Sequence, residues 1–231
     1  MPRLDEDLYL GVTPAGAYHA TAAQEPTPMR RLLFRLLKER HTPRVGDVPW
    51  GDWLGAESSQ SAVELVARME TLGWLWGLEA PAHCPSEPLE PLLPGLLPSL
   101  SSLRQALLAD RHGLQIGCAG FDESQVQGLA AVSADAVALA LRCRRLLGGL
   151  EQVGPGAWGM IDAAGHSQIG VWPLFLGSEW FALVLGGRPR FNHPDFLRLV
   201  WRLSRMVGGA PDVVSAFGTT AIATSPETYR E

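Results

Sequence analysis

Three prolines within residues 80–88, Pro81, Pro85 and Pro88, constrain this chain more than any other feature. Proline lacks the N–H that a helix or central strand needs, and it pushes the preceding residue into extended backbone. The run therefore predicts a connector, with a border near residue 85 between a first unit over 1–85 and a second over 86–209. A tail over 210–231 has few large apolar residues and is expected to be flexible. At 231 residues and 46% hydrophobic composition, the chain has material for a core on both sides of that border.

Before the connector, two segments have helical periodicity. In residues 29–40, Leu32, Leu33, Leu36 and Leu37 form one stripe, with Arg30, Arg31, Arg35, Lys38 and Arg40 mostly off it. In residues 61–72, Ser61 and Glu64 have the spacing of a capping box, Leu65, Met69 and Leu72 repeat at helical intervals, and Gly73 is a stop signal. Residues 8–12 and 74–78 read as strands. Thr13-Pro14 suits either a turn or a helix cap with proline at the first helical position. Two helices, a loop holding Trp50 and Trp53, and a closing strand resemble a winged-helix-like unit.

Beyond the connector, residues 89–103 are leucine-rich, but Pro91, Pro94 and Pro98 leave room for only a short helix. Residues 105–110 and 114–119 flank Arg111-His112-Gly113 and predict a hairpin. Asp122 and Glu123 open a long alanine-rich helix reaching about Leu147 and stopped by Gly148-Gly149. Three strand-like runs follow at 157–162, 168–176 and 180–185. Pro173 inside the second predicts a bulge or an unpaired edge. The third is apolar at every position, as in a central strand covered on both faces. Residues 194–207 close the unit as a helix, with Phe196, Leu199, Val200, Leu203, Met206 and Val207 inward and Arg198, Arg202 and Arg205 outward.

These elements suit one five-stranded antiparallel sheet with helices on its faces, an α+β fold. Their order, the hairpin phrase over 107–117 and the phrase Gly120-Phe121-Asp122-Glu123 opening the alanine-rich helix resemble the roadblock / dynein light chain family. The resemblance covers roughly half of the chain, and the prolines in its first helix depart from the family's pattern. It implies a non-catalytic module that pairs through its long helix and the adjacent sheet edge. It further implies a small Ras-like GTPase as partner, since many members bind or regulate such proteins and the bacterial gliding-type members activate them.

The long helix carries two apolar stripes. Leu129, Val132, Ala136 and Leu139 are bulkier, whereas Val126, Ala130, Ser133, Val137 and Ala140 are smaller. Small residues allow close approach of helices, so the second stripe is expected to form the interface of a homodimer and the first to pack on the sheet. The plain alternative is that both are intramolecular.

Other chemistries find little support. No G-x-x-x-x-G-K-[ST] phosphate loop occurs, so the chain is not expected to be a GTPase itself. Around Ser167 the second glycine falls one residue too far for a nucleophile elbow. The six histidines lack metal-binding spacings, His112 reads as a turn residue, and His193 reads as leading into a helix. No catalytic residue, cofactor or metal is expected. Net charge −5 argues against nucleic acid or anionic membrane as partners. The alternative class is a DNA-binding transcriptional regulator using the first unit, but its would-be reading helix offers only Arg68. The basic helix over 29–40 is then an ordinary solvated face, and the first unit is expected to bind protein. Trp50, Trp53, Trp74 and Trp76 suit either a recognition patch or a small core. Three scattered cysteines, an acidic start and no apolar segment judged long enough to cross a bilayer suggest a cytoplasmic location.

Overall fold

The structure is a computed structural model that describes residues 4–55, 59–143 and 157–207. The expected helix end at Leu147, its Gly148-Gly149 stop and the tail over 210–231 lie outside the described residues. Strand β1 (Tyr9–Val12) leads into α1 (Pro14–Thr21), followed by α2 (Pro28–Lys38), α3 (Trp50–Leu54), α4 (Ser59–Thr71) and β2 (Leu75–Leu78). Thr13 caps α1 by accepting from the Gly16 N–H at 3.0 Å, with Pro14 at the first helical position. Its hydroxyl also donates to the Gly73 carbonyl at 2.6 Å, tying the start of α1 to the end of α4.

Several local expectations are corrected. The helix α4 begins at Ser59, so Ser61 lies inside it and is not its cap. Ala62 and Met69 are buried on α4, while Leu72 is 46% exposed. The body of α1 escaped the periodicity reading because its buried face is made of Gly16, Ala17 and Ala20, too small to mark a stripe. In the first unit β2 pairs antiparallel with β1, from the far end of the unit.

The connector leads into α5 (Leu89–Leu96), which holds Pro94 inside it and continues as a 3-10 turn over Leu97–Leu100. Then come β3 (Ala106–Asp110), β4 (Gln115–Ala119), α6 (Glu123–Arg142), β5 (Trp158–Ile161), β6 (Ser167–Leu176), β7 (Glu179–Gly186) and α7 (Pro194–Val207). The five strands form one antiparallel sheet in the order β4-β3-β7-β6-β5. As its unbroken apolar run implied, β7 is central, and Phe181 through Gly186 are buried. Pro173 pairs in register with Ala182, while the partners of β5 stop at Val171, so Pro173 sits where one side of β6 has no strand. Gly113 has φ 76°, and a Cβ there would stand 2.8 Å from the Ala131 Cα, so the hairpin turn closes onto α6 only with glycine.

One apolar core crosses the connector. Leu10, Leu33 and Leu37 from the first unit join Leu93, Phe196 and Leu203 from the second. Trp201 Nε1 donates to the Glu39 carbonyl at 2.9 Å, and Arg202 Nε donates to that of Glu87 at 2.8 Å. On α7, Met206 is 47% exposed and leaves the stripe assigned to it.

His19 on α1 stacks on Trp74 with ring centroids 3.7 Å apart. Burial, and then the nearby Arg30 charge, lower its pKa to about 4. Unfolded histidine takes up a proton near pH 6.5, so between those values the unfolded chain binds more protons. Stability is therefore full above about pH 6.5 and falls as pH drops toward 4. After allowance for solvent screening of this part-exposed ring, the loss should be about 1 kcal/mol. Urea titrations at pH 7 and 4.5 check it: His19→Phe, which keeps a stacking ring, should lose correspondingly less than wild type.

Candidate interaction surface

Alternation along the strands divides the sheet into two apolar faces. Ala106, Leu108, Leu183, Leu185, Leu174 and Leu176 point toward α5, α7 and the first unit. Leu107, Ala109, Ala182 and Val184 point to the other side, where α6 covers them. The first face is covered by helices from both units, and the second among the described residues by α6.

The stripes of α6 are the reverse of the expectation. Val126, Ala130, Ser133, Val137 and Ala140, assigned to a partner, are at most 5% exposed and form the face that packs on the sheet. Ser133 is satisfied within the helix, its hydroxyl donating to the Leu129 carbonyl at 2.6 Å. Small residues do allow close approach, but the surface approached is the chain's own β3 and β7. Of the bulkier stripe, Val132 is 66% and Leu139 42% exposed, with Leu129 and Ala136 half-buried at its flank. The sequence held a signal for this: Gln125, Asp135 and Arg142 share the arc of Val132 and Leu139, so that arc faces water in a single chain.

The uncovered apolar surface continues onto the sheet edge. Trp158 pairs with Val171 and Met160 with Ile169, and directly paired residues lie on the same face. Ile169 and Val171 pack on the α6 side, which places Trp158 and Met160 on that side too. Trp158 is 41% and Met160 65% exposed, and among the described residues β5 has no further strand beyond it. Five strands at about 4.8 Å spacing span roughly 19 Å, whereas a helix is about 10 Å across. Counting the described residues alone, the face beside α6 has room for a second helix.

The chain resembles the roadblock fold. It is similar to MglB of Myxococcus xanthus at 14% identity and TM-score 0.36, over 52% of this chain and 87% of that one. It is likewise similar to a roadblock/LC7 domain from Streptomyces avermitilis at 16% identity and TM-score 0.39, over 53% of this chain and 99% of that one. No family model and no curated protein matches the chain.

The other residues singled out from the sequence lie apart from the exposed face of α6. Ser167 opens β6 opposite Ile161, next to a turn where Asp162 Oδ1 accepts from the Ala164 and His166 N–H groups, each at 2.9 Å. Those hydrogen bonds, that from His166 foremost, hold the Asp162 carboxyl below its usual value, as expected of a turn aspartate. His112 lies in the β3–β4 turn, and His193 caps α7 by accepting from the Asp195 N–H at 3.2 Å. Among the described residues no three His, Cys, Asp or Glu side chains gather as metal ligands. Trp50, Trp53 and Trp74 pack against the core, and Trp76 is 46% exposed with its ring over Gly11. By length and composition α6 could cross a membrane, which corrects the statement that no segment is long enough, yet its buried stripe is spent on the sheet.

Proposed function

We propose that this chain is a dimeric adaptor or regulator of a small Ras-like GTPase, with no catalysis of its own. The observation that carries the dimeric part is the apolar surface beside α6, made of Val132, Leu139, Trp158 and Met160. Left in water, such a patch with an unpaired strand edge invites association. A second copy supplies what the space needs, a helix with the same apolar arc and a strand with the same free edge, and a two-fold axis lets each copy cover the other.

The GTPase part is supported by the resemblance to the roadblock family. Its test is capture of Ras-like GTPases from the source cell's own set by the full chain, with each GTPase loaded with GDP or with a non-hydrolysable GTP analogue. Stable binding to at least one, in one nucleotide state more than the other, is the expected result. Acceleration of that partner's GTP hydrolysis separates an activator from a scaffold. Binding to none in either state overturns the GTPase reading. Salt-dependent binding to duplex DNA instead favours the transcriptional alternative.

A further inference from the structure

The connector pairs with a second short extended run, and that pairing brings two histidines together. Thr42 precedes Pro43 and Cys84 precedes Pro85, and a residue before proline is pushed into extended backbone. Residues 40–42, just after α2, are therefore shaped to pair with residues 82–84 of the connector. The Thr42 N–H donates to the Ala82 carbonyl at 2.9 Å and the Cys84 N–H to that of Arg40 at 3.0 Å, an antiparallel bridge with His41 opposite His83. The Thr42 hydroxyl adds a third bond by accepting from the Ala82 N–H at 3.0 Å.

These hydrogen bonds flank the two histidines rather than join them. That is the arrangement in which opposite Cα atoms come closest, about 4.5 Å, with both side chains on one face. Alternation sends Thr42 and Cys84 inward, where both are buried, and leaves His41 and His83 exposed to water. The two ring centres stand 5.9 Å apart, edge to face. Imidazoles sharing one ion through metal–nitrogen bonds of about 2.0–2.1 Å have ring centres roughly 5–6 Å apart, so the pair already spans the needed distance. His41 Nδ1 lies 3.3 Å from the Thr42 carbonyl oxygen. A carbonyl only accepts, so this contact is a hydrogen bond with the proton on Nδ1, and it leaves the Nε2 lone pair free. A ring held to a backbone carbonyl by its other nitrogen is the usual support of a metal-binding histidine.

We infer that His41 and His83 form a two-histidine site for a divalent transition-metal ion of the kind imidazole favours, Zn²⁺ foremost, with water in its remaining positions. Two protein ligands make an open, exchangeable site, unlike the four closed positions of a structural zinc. The bound ion ties the connector to the chain leaving α2, at the point where the first unit passes into the second. Motif spacing misses the pair because its members are far apart in sequence and meet only when the two extended runs come together. The site uses none of the α6 face, so it stands independently of the dimer and GTPase readings.

The test is calorimetric titration of the full chain, free of any histidine tag, with zinc chloride and separately with magnesium chloride at about pH 7.5, where imidazole is mostly neutral. One Zn²⁺ per chain, and no Mg²⁺, which prefers oxygen ligands, is the expected result. His41→Ala and His83→Ala should each weaken Zn²⁺ at least tenfold while leaving the metal-free melt unchanged, since both residues are exposed. Zn²⁺ should raise the melt of the wild type and of neither variant. With Cu²⁺ in place of Zn²⁺, electron paramagnetic resonance should show two coordinated nitrogens in the wild type and one in each variant. The rival ligand is His166, whose side chain is 79% exposed beside Asp162, and His166→Ala should bind as the wild type does. Absence of binding at millimolar Zn²⁺, affinity unmoved by either of the first two variants, or binding lost with His166→Ala overturns the site.

Discussion

Replacing Val137 by arginine is expected to abolish cooperative folding of the sheet and α6. Val137 is fully buried and belongs to the cluster that includes Leu107, Ala109, Ala182 and Val184. A guanidinium there would stand among apolar side chains, at a cost of about 3–5 kcal/mol or more. A domain of this size is stable by only about 5–15 kcal/mol, so this one change removes a large fraction of the total. Thermal melts followed by circular dichroism check it, with Val137→Ala as the neutral comparison expected to cost about 2 kcal/mol. An arginine variant that keeps its melt and simply becomes monomeric would restore the small stripe of α6 to a partner and overturn the packing described above.

Val132→Arg is expected to do the reverse: leave the fold intact and dissociate the dimer. The side chain at 132 is 66% exposed, so in a single chain an arginine there reaches water and the stability change should stay within about 0.5 kcal/mol. In the proposed dimer the same position is covered by the partner, and its two-fold relation places the new charge twice in one interface. A loss of about 3 kcal/mol, or roughly 100-fold in the dissociation constant, should appear in sedimentation. Val63 on α4 is 62% exposed and lies away from this face, so Val63→Arg should leave the sedimentation unchanged. If Val132→Arg and wild type sediment alike as dimers, the interface is elsewhere; if both are monomers, the proposed pairing fails.

The contrast between these two positions shows where sequence reading ran out. Both stripes of α6 are apolar at helical spacing, and spacing does not state which one meets the sheet. The rule that small residues favour close approach was sound, but the surface approached was a sheet in the same chain. The polar residues at 125, 135 and 142 carried the missing sign, because water-facing positions are marked by what accompanies the apolar residues rather than by their bulk. For the same reason α1, whose buried face is glycine and alanine, left no stripe to read.

Local chemistry determined the elements themselves. Proline and glycine fix backbone angles within a residue or two, so the extended connector, the Gly73 stop, the Gly113 hairpin and the Thr13-Pro14 cap needed no knowledge of the rest of the chain. The unbroken apolar run of β7 announced its central place for a similar reason, since a strand covered on both faces can expose nothing. Tertiary structure alone decided how residues distant in sequence meet: that α7 packs against α1 and α2 across the connector, and that among the described residues one face of the sheet is left half covered beside β5. Such meetings depend on burying area between elements more than a hundred residues apart, and no local rule of angle or period contains that information.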